Sequence, residues 1–217
     1  CLSIGTASFP RAEPSPGTLC QYQAQKLTWS TCYDSFECTI VQVPIDYFNL
    51  KLGRFKLRVL RHQATSQSKK IGSLVINPGG PGASGVDYAY NAEYIFGPSL
   101  LEKFDIVGFD PRGVGQSNPI RCLTNSATDA SYAADSKPDN QKELDTVVKE
   151  IRKDVSRCES RTKNILHYST ADTARDMDIL REALGEKRLN FLGVSYGTYL
   201  GTLYANFYPN KVGRMVL

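Results

Sequence analysis

The distribution of apolar residues divides the chain into strand-length and helix-length stretches. Phe55, Leu57 and Val59, with Arg61 continuing the register, alternate with Lys56, Arg58 and Leu60, the period-two pattern of a half-buried strand. Asn49 to Gly53 precedes it as a hairpin turn. Cys38 to Val43 alternates in part until Pro44 stops it, and Val43-Pro44-Ile45-Asp46-Tyr47 reads as strand edge and turn. Ser73-Leu74-Val75-Ile76 is a compact apolar run, the mark of a strand covered on both faces, and Phe104 to Asp110 is a second buried-strand candidate. Lys187 to Leu192 is a further strand. Gly213 to Leu217, after Pro209, begins another apolar run. Helical spacing predicts an amphipathic face at Leu144, Val148, Ile151, Val155 and Cys158, and a second at Ala174, Met177, Leu180 and Leu184. The second opens on a capping pattern, Ser169 with Asp172, and closes at Gly185. Shorter helical signals lie at Asp87 to Phe96 and Tyr196 to Tyr208. From Ile71 the order is strand, loop, helix, strand, connection, helix, strand, tight turn, helix and strand start, an α/β sheet with crossovers.

The remaining segments are polar and aperiodic. Residues 1–38, rich in Pro, Ser, Gly and Cys, read as an irregular leader held by disulfides, ahead of an α/β portion at 39–217. Gln63 to Lys70 and Asn118 to Asn140 read as loops. Trp29, beside two cysteines, reads as the plug of a small satellite core. His62, at a strand end, reads as solvent-facing, and His167 as a hydrogen-bonding residue in a turn.

Charge is mildly basic and dispersed, with 26 Lys and Arg against 22 Asp and Glu. The dispersion argues against a nucleic-acid footprint. No stretch approaches a membrane span. The chain opens at Cys1, with no initiator methionine or apolar leader, the expectation for a chain whose signal peptide has been removed. The 6 cysteines lack a Cys-x-x-Cys pair and have only His62 and His167 as possible imidazole partners. An extracellular disulfide set therefore fits better than a zinc site. Cys32 with Cys38 closes a short loop and is the first pairing expected. Cys122 with Cys158 and Cys1 with Cys20 follow by elimination and proximity. No Asn-x-Ser/Thr sequon occurs, so no N-glycan is expected.

The chemistry concentrates at Gly193-Val194-Ser195-Tyr196-Gly197, a G-x-S-x-G sequence between a strand and a helix. Such a nucleophile elbow holds its serine on a strained corner so tight that side chains two residues either way collide. Gly193 and Gly197 are the residues that chemistry asks for, and Ser195 is the candidate nucleophile. An acyl-transfer site also needs main-chain N–H groups aimed at the developing oxyanion. Tyr196 supplies one candidate. Asn77-Pro78-Gly79-Gly80-Pro81-Gly82, a rigid turn after an early strand, supplies the other through Gly80 or Gly79, with Gly80 preferred. Asn77, Pro78, Pro81 and Gly82 then support that turn. Gly113 and Gly115 begin a dinucleotide-like G-x-G, but Asn118 stands where the third glycine belongs and Pro119 blocks the helix. No Walker lysine follows any glycine loop. Asp110 and Arg112 read as turn-fixing residues. The reading requires no cofactor and no metal.

These motifs, in order with Phe109 to Ser117 and Ala174-Arg175-Asp176-Met177-Asp178, resemble the secreted tripeptidyl aminopeptidases of the α/β-hydrolase fold, relatives of proline iminopeptidase. The Trp29, Cys32, Cys38 and Val43 to Tyr47 pattern is similar too, so the likeness covers about residues 29–217. The resemblance implies the N-terminal part of a mostly parallel, doubly wound sheet. It also implies a secreted serine exopeptidase acting on peptides with a free N-terminus. The acid, the histidine and a helical cap are then expected from polypeptide after residue 217. A carboxylesterase or lipase shares the same elbow and glycine loop. A non-catalytic binding module of the same fold is the alternative from another class.

Overall fold

The computed structural model describes residues 17–217. Contacts divide them into two units, one of residues 17–118 with 168–217 and one of residues 119–167. The first is built on a seven-stranded sheet. A short helix, α1 (Leu19–Gln23), precedes β1 (Ser30–Cys32) and β2 (Phe36–Pro44). Next come β3 (Arg54–His62) and β4 (Gly72–Asn77). Three short helices, α2 (Gly85–Tyr90), α3 (Ala92–Ile95) and α4 (Pro98–Lys103), lead into β5 (Phe104–Phe109). The single helical signal expected over Asp87 to Phe96 is interrupted at Asn91, which ends α2 and begins α3.

The second unit holds α5 (Asn125–Ala133) and α6 (Gln141–Arg161). The chain returns to the sheet through α7 (Thr170–Ala183), β6 (Leu189–Gly193), α8 (Tyr196–Phe207) and β7 (Val212–Val216). Strand order is β1-β2-β3-β5-β4-β6-β7. The β1-β2-β3-β5 ladders are antiparallel, and β5-β4-β6-β7 are parallel.

Strand alternation sends side chains to two apolar layers. On one face Val41, Leu57, Val59, Val107 and Phe191 meet Met177 and Leu180 of α7, Leu200 and Tyr204 of α8, and Tyr22 of α1. On the other, Cys38, Leu60, Leu74, Ile76 and Ile106 meet Val86 and Ala89 of α2 and Leu101 of α4. Each large side chain buried this fully contributes about 1.5–3 kcal/mol. The runs expected to be covered on both faces are so covered: every residue of β5 is buried.

Several expectations are corrected. Residues 19–38 are not irregular throughout: they carry α1, β1 and the start of β2, which runs through the boundary expected at residue 38. Tyr22 is fully buried and Trp29 packs on the main core, not a satellite, with the Arg61 guanidinium 4.0 Å above its ring. His62 is buried, because its ring packs edge-on to Phe36 and lies 3.1 Å from a Glu93 carboxylate. Asn118 to Asn140 is not all loop. Thr124 caps α5 by accepting from Ala127 N–H, giving a polar sequence a helix start.

The stripe on α6 forms as a stripe, but Leu144, Val148, Ile151 and Val155 are exposed. Cys32 pairs with Cys38 and Cys122 with Cys158. Cys1 of the expected Cys1–Cys20 pair lies outside the described residues. No helix among the described residues is long and apolar enough to cross a membrane.

Candidate active site

Ser195 occupies the corner between β6 and α8 with φ 55° and ψ −121°. A non-glycine residue there stores about 1–3 kcal/mol of backbone strain, which the surroundings must hold. Val194 N–H donates to the Asn77 carbonyl (3.0 Å) and Gly197 N–H to the Val194 carbonyl (2.8 Å). Thr198 donates to the Ser195 carbonyl from both its N–H (2.9 Å) and its hydroxyl (2.8 Å). Space explains the flanking glycines. A Cβ on Gly193 would lie 2.3 Å from the Gly197 carbonyl oxygen, and one on Gly197 would lie 2.8 Å from that of Asn77. Ser195 itself is exposed, and among the described residues its hydroxyl has no hydrogen-bond partner.

The glycine turn after β4 lies directly against this corner. Gly79 has φ 98°, and a Cβ there would sit 2.5 Å from the Val194 carbonyl oxygen, 2.9 Å from Ser195 Cβ and 3.1 Å from Tyr196 N. Its N–H is already committed to Asn77 Oδ1 at 3.0 Å. Asn77 thus joins the two segments: its carbonyl holds the elbow and its side chain holds the glycine turn. No acceptor among the described residues takes the N–H of Gly80 or of Tyr196. Gly80 turns at φ 106° toward Gly82, Pro81 follows through a cis peptide, and Pro78 leads in from the buried end of β4.

The far end of the turn is fixed by a residue the sequence marked only as turn-forming. Asp110 Oδ1 accepts from the Ser84 hydroxyl (2.6 Å) and Val86 N–H (3.2 Å), and Oδ2 accepts from Gln116 N–H (2.9 Å). Ser84 also caps α2 by accepting from Asp87 N–H. One carboxylate therefore links the loops after β4 and β5. The Tyr196 hydroxyl meets that of Thr170 at 2.6 Å, tying the elbow to the start of α7, a contact with no signal in the sequence.

Arg112 lies deeper. Its guanidinium donates to both Asp176 oxygens (2.8 and 2.6 Å) and to the carbonyls of Ile45 and Pro44. The Tyr47 hydroxyl donates to Asp176 at 2.7 Å. Burial, and then the Asp176 charge, push the Tyr47 phenol well above its ordinary range. The cluster clamps β2, the loop after β5 and α7 together.

His62 does not join Ser195. His62 stands level with Ile106, which is paired with Leu74, toward the amino ends of the parallel strands, whereas Ser195 follows the carboxyl end of β6. His167 closes a turn in the second unit, its N–H donating to the Asn164 carbonyl at 2.9 Å. Among the described residues no group of three or more His, Cys, Asp or Glu could hold a metal.

Residues 72–217 match the family model described as the alpha/beta hydrolase fold. Tripeptidyl aminopeptidase of Streptomyces coelicolor is 40% identical over 185 residues, covering 83% of this chain and 34% of that protein. Serine protease Hip1 of Mycobacterium tuberculosis is 35% identical over 229 residues, covering 100% of this chain and 42% of that protein. Carboxylesterase B of the same organism is 38% identical over 195 residues, covering 82% and 36% respectively. The chain thus spans 34 to 42% of the length of these relatives. The family match runs from β4 and its glycine turn through the elbow to β7, and with it the chain belongs to the α/β-hydrolase family.

Proposed function

We propose that this chain is the nucleophile-bearing part of a secreted serine hydrolase that cleaves peptides near a free N-terminus. The observation that carries the reading is the strained, exposed Ser195 with the Gly79 backbone packed against its corner. In the proposed reaction the Ser195 hydroxyl attacks the scissile carbonyl carbon while a histidine takes its proton. The carbonyl oxygen becomes an oxyanion and accepts from the N–H groups of Tyr196 and Gly80. Gly79, its own N–H held by Asn77, keeps the turn close. Collapse expels the amine, which takes the proton from the histidine, and water then hydrolyses the acyl-enzyme. Each oxyanion donor is worth about 10²–10³ in rate. The acid and the histidine are assigned to polypeptide following residue 217, in the chain order usual for this fold. A cap from the same remainder would limit entry to peptide ends. Secretion is supported by the two disulfides among the described residues.

Ester hydrolysis is the second reading, favoured by the relative named Carboxylesterase B. Two measurements on the full-length enzyme separate the possibilities. A fluorophosphonate should label Ser195 alone; labelling elsewhere, or an active enzyme that resists the reagent, removes Ser195 from the role. Tripeptidyl and aminoacyl arylamides should then be turned over in preference to short-chain esters. Ester turnover without amide turnover selects the second reading.

A further inference from the structure

We propose that the outer face of β2 and β3 is a binding site for a multivalent oxyanion, held by Arg58, Arg54 and Lys26. Along β3, Phe55, Leu57 and Val59 point into the core, so Arg54, Lys56 and Arg58 share the opposite face. Their partners on the antiparallel neighbour are Pro44, Gln42 and Ile40. Opposite charge at such positions ordinarily relieves a row of like charges. Here neither the row nor its cross-strand partners contain a carboxylate. A groove of about 680 Å³ opens over this face, beneath the segment that leads from α1 to β1. Its lining includes Lys26, Arg54, Arg58, Gln25 and Gln42 and no Asp or Glu.

Four other arginines of the sheet unit, Arg61, Arg112, Arg175 and Arg181, each meet a carboxylate. No ion pair among the described residues involves Lys26, Arg54 or Arg58. Arg54 donates to Gln42 Oε1 at 2.6 Å, a neutral partner. Arg58 Nε is buried and has no acceptor among the described residues. Asp110, whose N–H bonds the Arg58 carbonyl, commits its own carboxylate to Ser84, Val86 and Gln116.

A buried donor left unpaired costs about 1–3 kcal/mol, and more when it is charged. A guanidinium presents Nε–H and Nη–H as a fork that fits two oxygens of one phosphate or carboxylate group. The ligand that relieves the cationic row and suits the flanking amides is a compact oxyanion of two or more negative charges, met by the Arg58 guanidinium at the groove wall. The groove is separated from the strand of Ser195 by β5 and β4, so the assignment does not depend on the hydrolytic reading.

Calorimetric titration of the full-length protein with pyrophosphate, and separately with citrate, at constant ionic strength tests the site. Saturable binding is expected, weakened about tenfold or more in Arg58→Gln and in Arg58→Lys, which keeps the charge but loses the fork. Lys26→Gln, at an exposed position that folding tolerates, should weaken it as well, and Lys187→Gln should not. Pyrophosphate without citrate binding assigns a phosphate ligand, and the converse assigns carboxylates. Heats no larger than those of chloride, or binding undiminished in both Arg58→Gln and Lys26→Gln, would overturn the proposal.

Discussion

At the scale of single residues, the elbow trades stability for geometry. Ser195 holds a backbone conformation that glycine adopts without penalty, so Ser195→Gly should stabilise the full-length protein by about 1 kcal/mol while abolishing any acyl-enzyme. Denaturant unfolding reads this directly, and a destabilised Ser195→Gly would show that the corner is not strained. Gly79→Ala should act in the opposite sense. The new methyl meets the Val194 carbonyl oxygen at 2.5 Å, so either the turn or the elbow must move. A loss of about 10²-fold in kcat with little change in KM is the expected outcome if the proposed oxyanion donors shift, measured on the preferred arylamide. The serine, its glycines and the glycine turn were all legible, because tight backbone leaves a composition that few other structures need. Gly80 was preferred over Gly79 as the proposed donor, but the commitment of the Gly79 N–H to the Asn77 side chain had no signal in the sequence.

At the scale of elements, legibility followed burial. β4 and β5 read clearly because two covered faces demand apolar residues at successive positions, as in Leu74-Val75-Ile76 and Ile106-Val107. β1 was missed because three residues, none large and apolar, carry no period. The α6 stripe read correctly as a face, but periodicity cannot say whether anything covers it. Two devices add polar or covalent ties between elements. The Arg112–Asp176 pair, with Tyr47, ties α7 to β2 and to the loop after β5. Asp176→Ala would leave the fully buried guanidinium without its carboxylate, and a loss of about 3–5 kcal/mol is expected in chemical denaturation. In the second unit the Cys122–Cys158 bridge spans 36 residues. Loop-closure entropy puts its contribution at about 4 kcal/mol. A Cys122→Ser/Cys158→Ser variant should accordingly become sensitive to limited proteolysis within residues 119–167. Cleavage spread equally through the sheet would show that the bridge supports more than its own unit.

At the scale of the whole molecule, two consequences follow from how groups are shared out along the chain. Tyr22, Tyr47, Tyr168, Tyr204 and Tyr208 all have phenols raised by burial above their ordinary value. Above the ordinary tyrosine value of about 10, the unfolded chain releases these protons and the native one keeps them. Stability is therefore complete below that pH and falls as pH rises beyond it. Tyr47→Phe should flatten the fall in a melting-temperature series taken across the alkaline range. The second consequence concerns activity. Residues 196–217 contain no Asp, Glu or His, and His62 stands away from Ser195 in the sheet. A serine hydroxyl without a base in reach is a weak nucleophile. Residues 1–217 produced alone are thus expected to hydrolyse neither arylamides nor esters, and to regain turnover when the following polypeptide is supplied in trans. Activity in the isolated segment, abolished by Ser195→Ala, would locate the base within these residues and refute the assignment of acid and histidine to the remainder.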